Sequence, residues 1–249
     1  ILVTNPIYNE EGLVLSLHFS ETSGSVAFDS SGNNLHGPMY GGIARTEGKF
    51  GGGIYLDGSN DYISIPNNAL LNPTNAITVL AWFVQTEYYT NYRTGPIIKP
   101  VSDSGDVSPF WQYGFQTIPG GYGVEAHITI NGVRHDLSWN SGNASYWLGV
   151  WHFAVLTYNG SEVRLYVDGE LKAYKTGVSG TINSYNSPLN IGRYNAAQLR
   201  YWKGYVDEVR IYNRALSEEE IRFLYEQGIG KFSSPASWDA SSCPVKVHN

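Results

Sequence analysis

The sequence has little cysteine, little charge and no long apolar run. Its 249 residues include one cysteine, and charged residues make up only 15%. One thiol can form neither an internal disulfide nor a cysteine-based zinc site. The longest largely apolar run, residues 77–84, is far shorter than the roughly 18 residues of a membrane-spanning helix. The net charge of −6 argues against a basic surface of the kind that binds nucleic acids or anionic membranes. We therefore expect no membrane span and no nucleic-acid partner.

Glycine and aromatic residues are abundant instead. The chain has 28 glycines, and 14% of its residues are aromatic, a composition that favours strands and turns over helices. Asn143 and Asn159 each begin an Asn-x-Ser sequon, the acceptor of N-linked glycans in secreted proteins. These features together predict an extracellular or cell-surface location.

Short strand patterns alternate with turn signals along most of the chain. We expect a first hairpin from 53–57 and 61–65, joined at Asp57-Gly58. A second hairpin is expected where Asn131-Gly132 supplies the positive φ angles of a type I′ turn. The remaining predicted strands are 13–19, 151–158, 162–167, 170–174 and 204–212.

One helix is predicted near the C-terminus. Ser217 and Glu220 have the spacing of a capping box, and Gly228 is the expected end of the helix. Many short strands with one late helix indicate an all-β, two-sheet antiparallel sandwich. We expect a single domain over residues 11–230. Residues 1–10 are predicted to be an N-terminal tail or added strand, and residues 231–249 a C-terminal tail or linker.

No catalytic motif is evident. The sequence has no Gly-x-Ser-x-Gly elbow, no phosphate-binding glycine loop and no His-Glu-x-x-His pair. Paired carboxylates at alternate strand positions, typical of jelly-roll glycosidases, are also absent. His127 and His135 are expected to face each other across the second hairpin, as a cross-strand pair rather than a site. We therefore predict a protein that is not an enzyme.

Two oxygen-rich features suggest a calcium ion. Alternation along the last strand places Asp207 on the same face as Val209 and Ile211, which we expect to be the core face. A buried carboxylate needs a partner, and calcium takes about 6–8 oxygen ligands. The turn around Asp29 offers further oxygens. The alternative is an Asx-type turn without a metal.

A series of short motifs, in a fixed order, resembles a known family. They are Leu13–Phe19, Phe28–Gly37, Gly48–Gly51, Leu56–Gly58 with Asp61–Pro66, Ile77–Phe83, Trp151–Val155, Leu165–Gly169 and Gly204–Ser217. The chain resembles LamG-like jelly-roll domains of the concanavalin A-like lectin/glucanase superfamily over residues 13–228. The resemblance implies two antiparallel sheets packed face to face.

The resemblance also implies a metal site and a class of function. It places a structural Ca²⁺ between Asp29 and Asp207, with Asn34 and His36 as further metal-site residues. Such domains are usually non-catalytic modules that bind glycans or proteins, or that act as spacers.

Aromatic-rich segments at 85–118, 139–147 and 193–202 are extra to the family pattern. Aromatic rings stack on sugars and are enriched in protein interfaces. The alternative for each ring is packing of its loop onto the sandwich. The candidate ligand-binding residues are Tyr88, Tyr89, Tyr92, Trp111, Tyr113, Trp139, Trp147, Tyr194, Tyr201 and Trp202.

Three functional hypotheses follow. The first is a carbohydrate-binding or adhesive module whose partner is a glycan or a surface protein. The second is a structural subunit of a filament, sheath or layer, self-assembled through residues 1–7 or the C-terminal tail. Cys243 in that tail is either a link between chains or an unlinked thiol. The third is a polysaccharide hydrolase or lyase, against which the absent carboxylate pair counts.

Overall fold

The protein folds into two antiparallel β-sheets packed face to face. The computed structural model describes residues 10–90 and 94–230, with side chains described as far as residue 226. The first sheet contains β1 (Leu13–Leu17), β4 (Ala44–Glu47), β5 (Gly52–Asp57), β7 (Ile77–Gln85), β12 (His152–Tyr158), β13 (Glu162–Val167), β14 (Glu170–Thr176) and β16 (Lys203–Tyr212). The second sheet contains β2 (Val26–Ala27), β3 (Gly37–Tyr40), β6 (Tyr62–Ile65), β8 (Ile97–Pro100), β9 (Trp111–Thr117), β10 (Gly123–Ile130), β11 (Val133–Asn140) and β15 (Leu189–Ile191). The predicted all-β sandwich is confirmed.

The strand order explains how distant segments meet. The first sheet runs β14-β13-β12-β7-β16-β5-β4, with β1 also paired to β16. The second runs β11-β10-β9-β8-β15-β6-β3-β2. Alternate residues of both sheets fill one apolar core between them. β10 shows the pattern, because Val124, Ala126 and Ile128 are buried in that core. The residues between them therefore lie on the outer face of the second sheet.

Helices are few among the described residues. They are a 3₁₀ turn at Ala69–Leu71, α1 at Ala144–Trp147 and α2 at Glu218–Gly230. α2 packs on the outer face of the first sheet, where Ile221 joins a second apolar cluster and Tyr225 stacks on Trp82 with ring centroids 5.5 Å apart. None of the helices in the described part of the chain is long and apolar enough to cross a membrane.

Of the two predicted hairpins, the second is confirmed and the first is wrong. β10 and β11 pair around Asn131 and Gly132, both at positive φ, as predicted. The first predicted hairpin is wrong, because β5 pairs with β4 and β16 while β6 pairs with β3 and β15. The link between them crosses from one sheet to the other. Asp61 is buried in this link, and its side chain accepts hydrogen bonds from the backbone of Gly42 at 2.6 Å and Asp57 at 3.1 Å.

The predicted core face of the last strand is confirmed for Val209 and Ile211 but is wrong for Asp207. Pairing of β16 with β7 shifts register between Asp207 and Arg210, and Glu208 has a φ of +50°. This β-bulge adds one residue and reverses the alternation. Val206 and Val209 both reach the core, whereas Asp207 lies opposite Trp82 of the outer cluster. Asp207 is therefore buried on the outer face of the first sheet.

The C-terminal helix begins as predicted and ends later. Ser217 Oγ accepts from Glu220 N at 3.2 Å, and Glu220 Oε2 accepts from Ser217 N at 2.8 Å, which is the capping box. The predicted end at Gly228 is wrong, since the helix continues to Gly230. Glycine permits a helix end but does not impose one. The segments proposed for self-assembly, 1–7 and 231–249, and with them Cys243, lie outside the described residues.

Candidate functional site on the second sheet

A row of buried and half-buried polar side chains covers the outer face of β9, β10 and β11. Gln116 and Glu125 are opposite each other across β9 and β10, and the Gln116 amide donates a short hydrogen bond to the Glu125 carboxylate. His127 and Asp136 are opposite each other across β10 and β11. Thr129 completes the row on β10 and donates to a backbone carbonyl. The strand period of two brings these groups together on one face.

His127 connects this row to an aromatic cluster. Its Nδ1 is 2.7 Å from Asp136 Oδ1, and its ring stacks on Trp111 with centroids 4.8 Å apart. Arg134 binds the same carboxylate, with Nε 2.8 Å from Asp136 Oδ1. Burial opposes ionisation of Asp136, but His127 and Arg134 outweigh that effect and lower its pKa to about 2. Asp136 is therefore a fixed negative charge across the ordinary pH range.

A cavity of about 220 Å³ lies beside this row. Its lining combines aromatic rings, two arginines, a carboxylate and one amide: Asp106, Phe110, Trp111, Gln116, Arg134, Tyr194 and Arg200. Gln116 is fully buried, and its Oε1 atom has no hydrogen-bond partner among the described residues. An unpaired buried acceptor is costly unless a bound group satisfies it.

Two loops form the walls of the cavity and are joined to each other. Asp103 accepts from Ala196 N at 3.0 Å and lies 3.2 Å from Arg193 Nη2. Arg193 also lies over the Tyr62 ring, 3.9 Å from its centroid. Burial raises the pKa of Tyr194, and its hydrogen bond to Asp106 adds to the shift. The loops are therefore held together before any ligand binds.

Two of the ten candidate ligand-binding residues, Trp111 and Tyr194, line the cavity. They come from the predicted segments 85–118 and 193–202, which the fold brings together. Segment 139–147 does not reach the cavity, because Trp147 is buried in the core and donates to Gln85 Oε1 at 2.8 Å.

The other candidate rings have packing roles. Tyr113 and Trp202 are fully buried core residues, so their prediction as surface binding residues is wrong, as it is for Trp147. The remaining rings pack at the edges of the sandwich or onto other rings: Tyr89 is buried, Trp139 packs on the core, Tyr88 contacts Tyr122, and Tyr201 contacts Tyr62. Tyr92 lies outside the described residues.

Most of the polar site residues were missed by sequence reasoning. The predicted pairing of His127 with His135 is wrong, because the register sets His135 opposite Ile128. The usable signal is the alternation of Glu125, His127 and Thr129 on a strand whose other face is apolar. Contributions from Gln116 and Asp106 depend on strand order and loop position, which no local pattern contains.

The predicted calcium ligands fit an ion only in part. Both oxygens of Asp29 are occupied: Oδ1 accepts from Ser16 N at 3.0 Å and Ser31 N at 2.9 Å, and Oδ2 accepts from Ser31 Oγ at 2.9 Å and Leu35 N at 2.9 Å. His36 Nδ1 accepts from Asp29 N at 3.0 Å. Asn34 adopts a φ of +57° in the same turn. These contacts give Asp29 the role of an Asx-type turn organiser and do not fit it as a carboxylate ligand.

Asp207 differs from Asp29 in lacking a polar side-chain partner, although the described part of the chain contains no cluster of three or more His, Cys, Asp or Glu side chains that could hold a metal ion. It is fully buried and accepts from Phe50 N at 2.8 Å and from Glu208 N at 2.7 Å. No ion pair joins it to a basic side chain within residues 10–90 and 94–226. Burial raises its pKa to about 8. A buried carboxylate without a charged partner is either protonated or bound to a cation.

The two sequon asparagines are exposed and form local hydrogen bonds. Asn143 caps α1 by accepting from Ser145 N at 3.0 Å, and Asn159 accepts from Ser161 N at 3.0 Å. Their glycosylation stays a prediction.

The fold and the site define a β-sandwich domain with a small polar and aromatic cavity on one sheet face. A family profile described as the concanavalin A-like lectin/glucanases superfamily (Laminin_G_3) matches residues 57–222, more than half of the chain. The protein belongs to this superfamily, as its motifs indicated.

Solved structures with the same fold include binding domains of toxins. The binding domain of Paraclostridial Mosquitocidal Protein 1 aligns with a TM-score of 0.66 at 18% identity, covering 87% of this chain and 52% of that one. The receptor binding domain of botulinum neurotoxin C/D mosaic serotype aligns at 0.68 and 19% identity, covering 87% and 51%. A structure of botulinum neurotoxin type C, whose cell entry depends on interaction with two ganglioside molecules, aligns at 0.67 and 13%, covering 87% and 51%. The chain spans about half the length of each relative. A search of curated proteins finds no match.

Proposed function

We propose that the protein is an extracellular, non-catalytic carbohydrate-binding module that binds a glycan in the cavity between Trp111, Tyr194 and Gln116. The observation that carries the proposal is the unpaired Gln116 Oε1 in the wall of an aromatic cavity. Aromatic rings offer apolar faces to a sugar ring, and the amide and guanidinium groups suit its hydroxyls. The ganglioside named for one structural relative, a sialylated glycolipid, supports a glycan ligand in general and not a particular terminal sugar.

The geometry favours binding over catalysis. Glu125 is engaged by Gln116, and His127 and Arg134 hold Asp136. Both carboxylates therefore serve to fix neighbouring side chains. A general acid or base must instead reach the reacting atoms of a substrate.

A glycan array followed by calorimetry tests the proposal. We expect the wild-type protein to bind at least one glycan and Arg200→Ala to weaken that binding about tenfold, or about 1.4 kcal/mol. Arg222→Ala is the matched control, because Arg222 is exposed on α2, against the other sheet. An array without any bound glycan would contradict the proposal. Equal losses in both variants would place the ligand elsewhere.

The proposal includes a structural calcium ion at Asp207. The buried carboxylate would supply one anionic oxygen, and the ion would neutralise a charge that otherwise has no partner. Asp29 would act by shaping its turn. The ion would then contribute to the free energy of unfolding and not to glycan recognition.

Thermal unfolding in calcium and in chelator tests this part separately. At 100 times its Kd, calcium should add about 2.7 kcal/mol to stability. We expect this difference to disappear in Asp207→Asn and to persist in Asp57→Asn, a control at an exposed residue of a turn. Identical melting of the wild-type protein in both conditions would exclude the ion.

A further inference from the structure

We propose that the cavity accepts a single terminal sugar residue that is uncharged, and that it discriminates against sialic and uronic acids. This inference rests on the proposed function, since it names the substrate class of the same site. Three observations carry it: the size of the cavity, the unpaired acceptor in its wall and the ion pairs that engage its two arginines.

Size limits the ligand to one ring. The cavity volume is about 220 Å³, which is below the roughly 300–1,000 Å³ of pockets that enclose drug-sized ligands. The walls are fixed by the Asp103 contacts to Arg193 and Ala196. The next residues of the glycan must therefore leave through the opening, so the recognised unit is a terminal one.

The unpaired Gln116 Oε1 requires a hydrogen-bond donor on the ligand. Gln116 is fully buried, its amide nitrogen is engaged by Glu125, and its Oε1 is the free atom. A sugar hydroxyl or the N–H of an acetamido group satisfies a carbonyl oxygen. A carboxylate has no proton to donate and would face this oxygen as a second acceptor.

The arginines do not provide a free positive charge. Arg134 is held by Asp136 at 2.8 Å, and Arg200 donates to Gln198 Oε1 at 3.1 Å and lies 3.9 Å from Asp106. Both arginines of the lining are therefore engaged by carboxylates, Arg134 by Asp136 and Arg200 by Asp106. An acidic sugar would have to break one of these existing ion pairs before an arginine could bind its carboxylate.

Paired glycans provide the test. We would measure binding of the wild-type protein to an array containing neutral glycans, each with its terminally sialylated counterpart, and to methyl glucoside against methyl glucuronide. We expect the neutral member to bind at least about tenfold more tightly in each bound pair. Affinity for the neutral member should also be nearly independent of salt, because the contact lacks a charge on the ligand.

The outcomes separate the inference from the proposed function. Preference for the acidic members would overturn the neutral-sugar inference and leave the binding function intact. Binding of internal but not terminal residues would overturn the size argument. A protein that binds no glycan on the array would overturn both.

Two glutamine variants test whether Gln116 contacts the sugar. Gln116→Met removes the unpaired acceptor and should reduce affinity for the neutral glycan at least about tenfold. Gln112→Met is the matched control: it is a buried glutamine on the same strand, but its amide is paired with Asn72 at 3.0 Å and Tyr185 N at 3.1 Å. If Gln116→Met fails to fold, the ratio of neutral to acidic binding in the wild-type protein still decides the inference.

Discussion

His127 and Asp136 form a half-buried cross-strand pair, with Nδ1 and Oδ1 2.7 Å apart and the imidazole ring stacked on Trp111. The pair links the β10–β11 hairpin to the aromatic side of the cavity. It also fixes the direction of the His127 ring, because only one ring nitrogen faces the carboxylate. The geometry of the proposed binding site therefore depends on this pair.

Replacing Asp136 with asparagine should weaken that link. Loss of a hydrogen bond to a charged group leaves His127 and Arg134 poorly paired and should lower the free energy of unfolding by about 1–3 kcal/mol. Because the folded pKa of Asp136, about 2, is below the 3.8 of the ordinary group, its contribution is present above about pH 4 and is lost as pH falls toward 2. Urea unfolding across this range measures both effects. Glu170→Gln, at an exposed carboxylate, should change neither.

Lys99 should make stability rise with pH in alkaline solution. Its Nζ is enclosed by Asn67 Oδ1 at 3.0 Å, Tyr185 O at 3.1 Å and Ser187 O at 2.6 Å, and burial lowers its pKa from 10.5 to about 7. Between these values the unfolded chain binds more protons, so the free energy of unfolding increases with pH. Lys99→Met should flatten this slope in denaturant titrations between pH 7 and 10. A slope that survives in Lys99→Met would contradict the assignment, and the exposed Lys175→Met should retain it.

Asp207 should have the opposite pH dependence in the metal-free protein. Burial raises its pKa from 3.8 to about 8, so the folded protein binds more protons over this interval. The free energy of unfolding should then fall as pH rises from about 4 to 8 in the presence of a chelator. Asp207→Asn should remove this component. If the wild-type protein and the variant have parallel pH profiles, Asp207 is ionised in the folded protein without a metal.

Removal of the α2 cap should be a moderate and local change. Ser217 Oγ accepts from Glu220 N at 3.2 Å, and Ser217→Ala should cost about 0.5–2 kcal/mol of stability. Ser217→Thr keeps the acceptor and should recover most of the loss. Glycan binding should stay unchanged in both variants, because the helix covers the first sheet and the cavity lies on the second. Thermal unfolding combined with a binding titration measures the two effects.

Local patterns predicted the elements well and their partners less well. The Asn131-Gly132 hairpin and the Ser217 capping box depend on residues a few positions apart, so both were visible in the sequence. The assignment of β5 and β6 to different sheets was not visible, because the Asp57-Gly58 turn is compatible with a hairpin as well as with a crossing link. The sheet face of Asp207 was not visible in the sequence either. A bulge in the pairing of β16 with β7 turns this side chain to the outer face of the first sheet.

The residues of the proposed binding site were also predicted only in part from the sequence. Aromatic richness in the two loops pointed to Trp111 and Tyr194, yet it could not separate them from Tyr113 and Trp202, which the core absorbs. Composition reports how many rings a segment has, whereas burial depends on what packs against each ring.

By itself, the sequence determined the class of fold, the strand periodicity, the turn chemistry and the membership of the superfamily. These properties follow from interactions between near neighbours along the chain and from the apolar face of each strand. Only the tertiary structure decided that Gln116, Arg134, Tyr194 and Arg200 meet around one cavity. Their contacts join residues far apart in the chain, and the strand order that brings them together is set by packing of the whole sandwich.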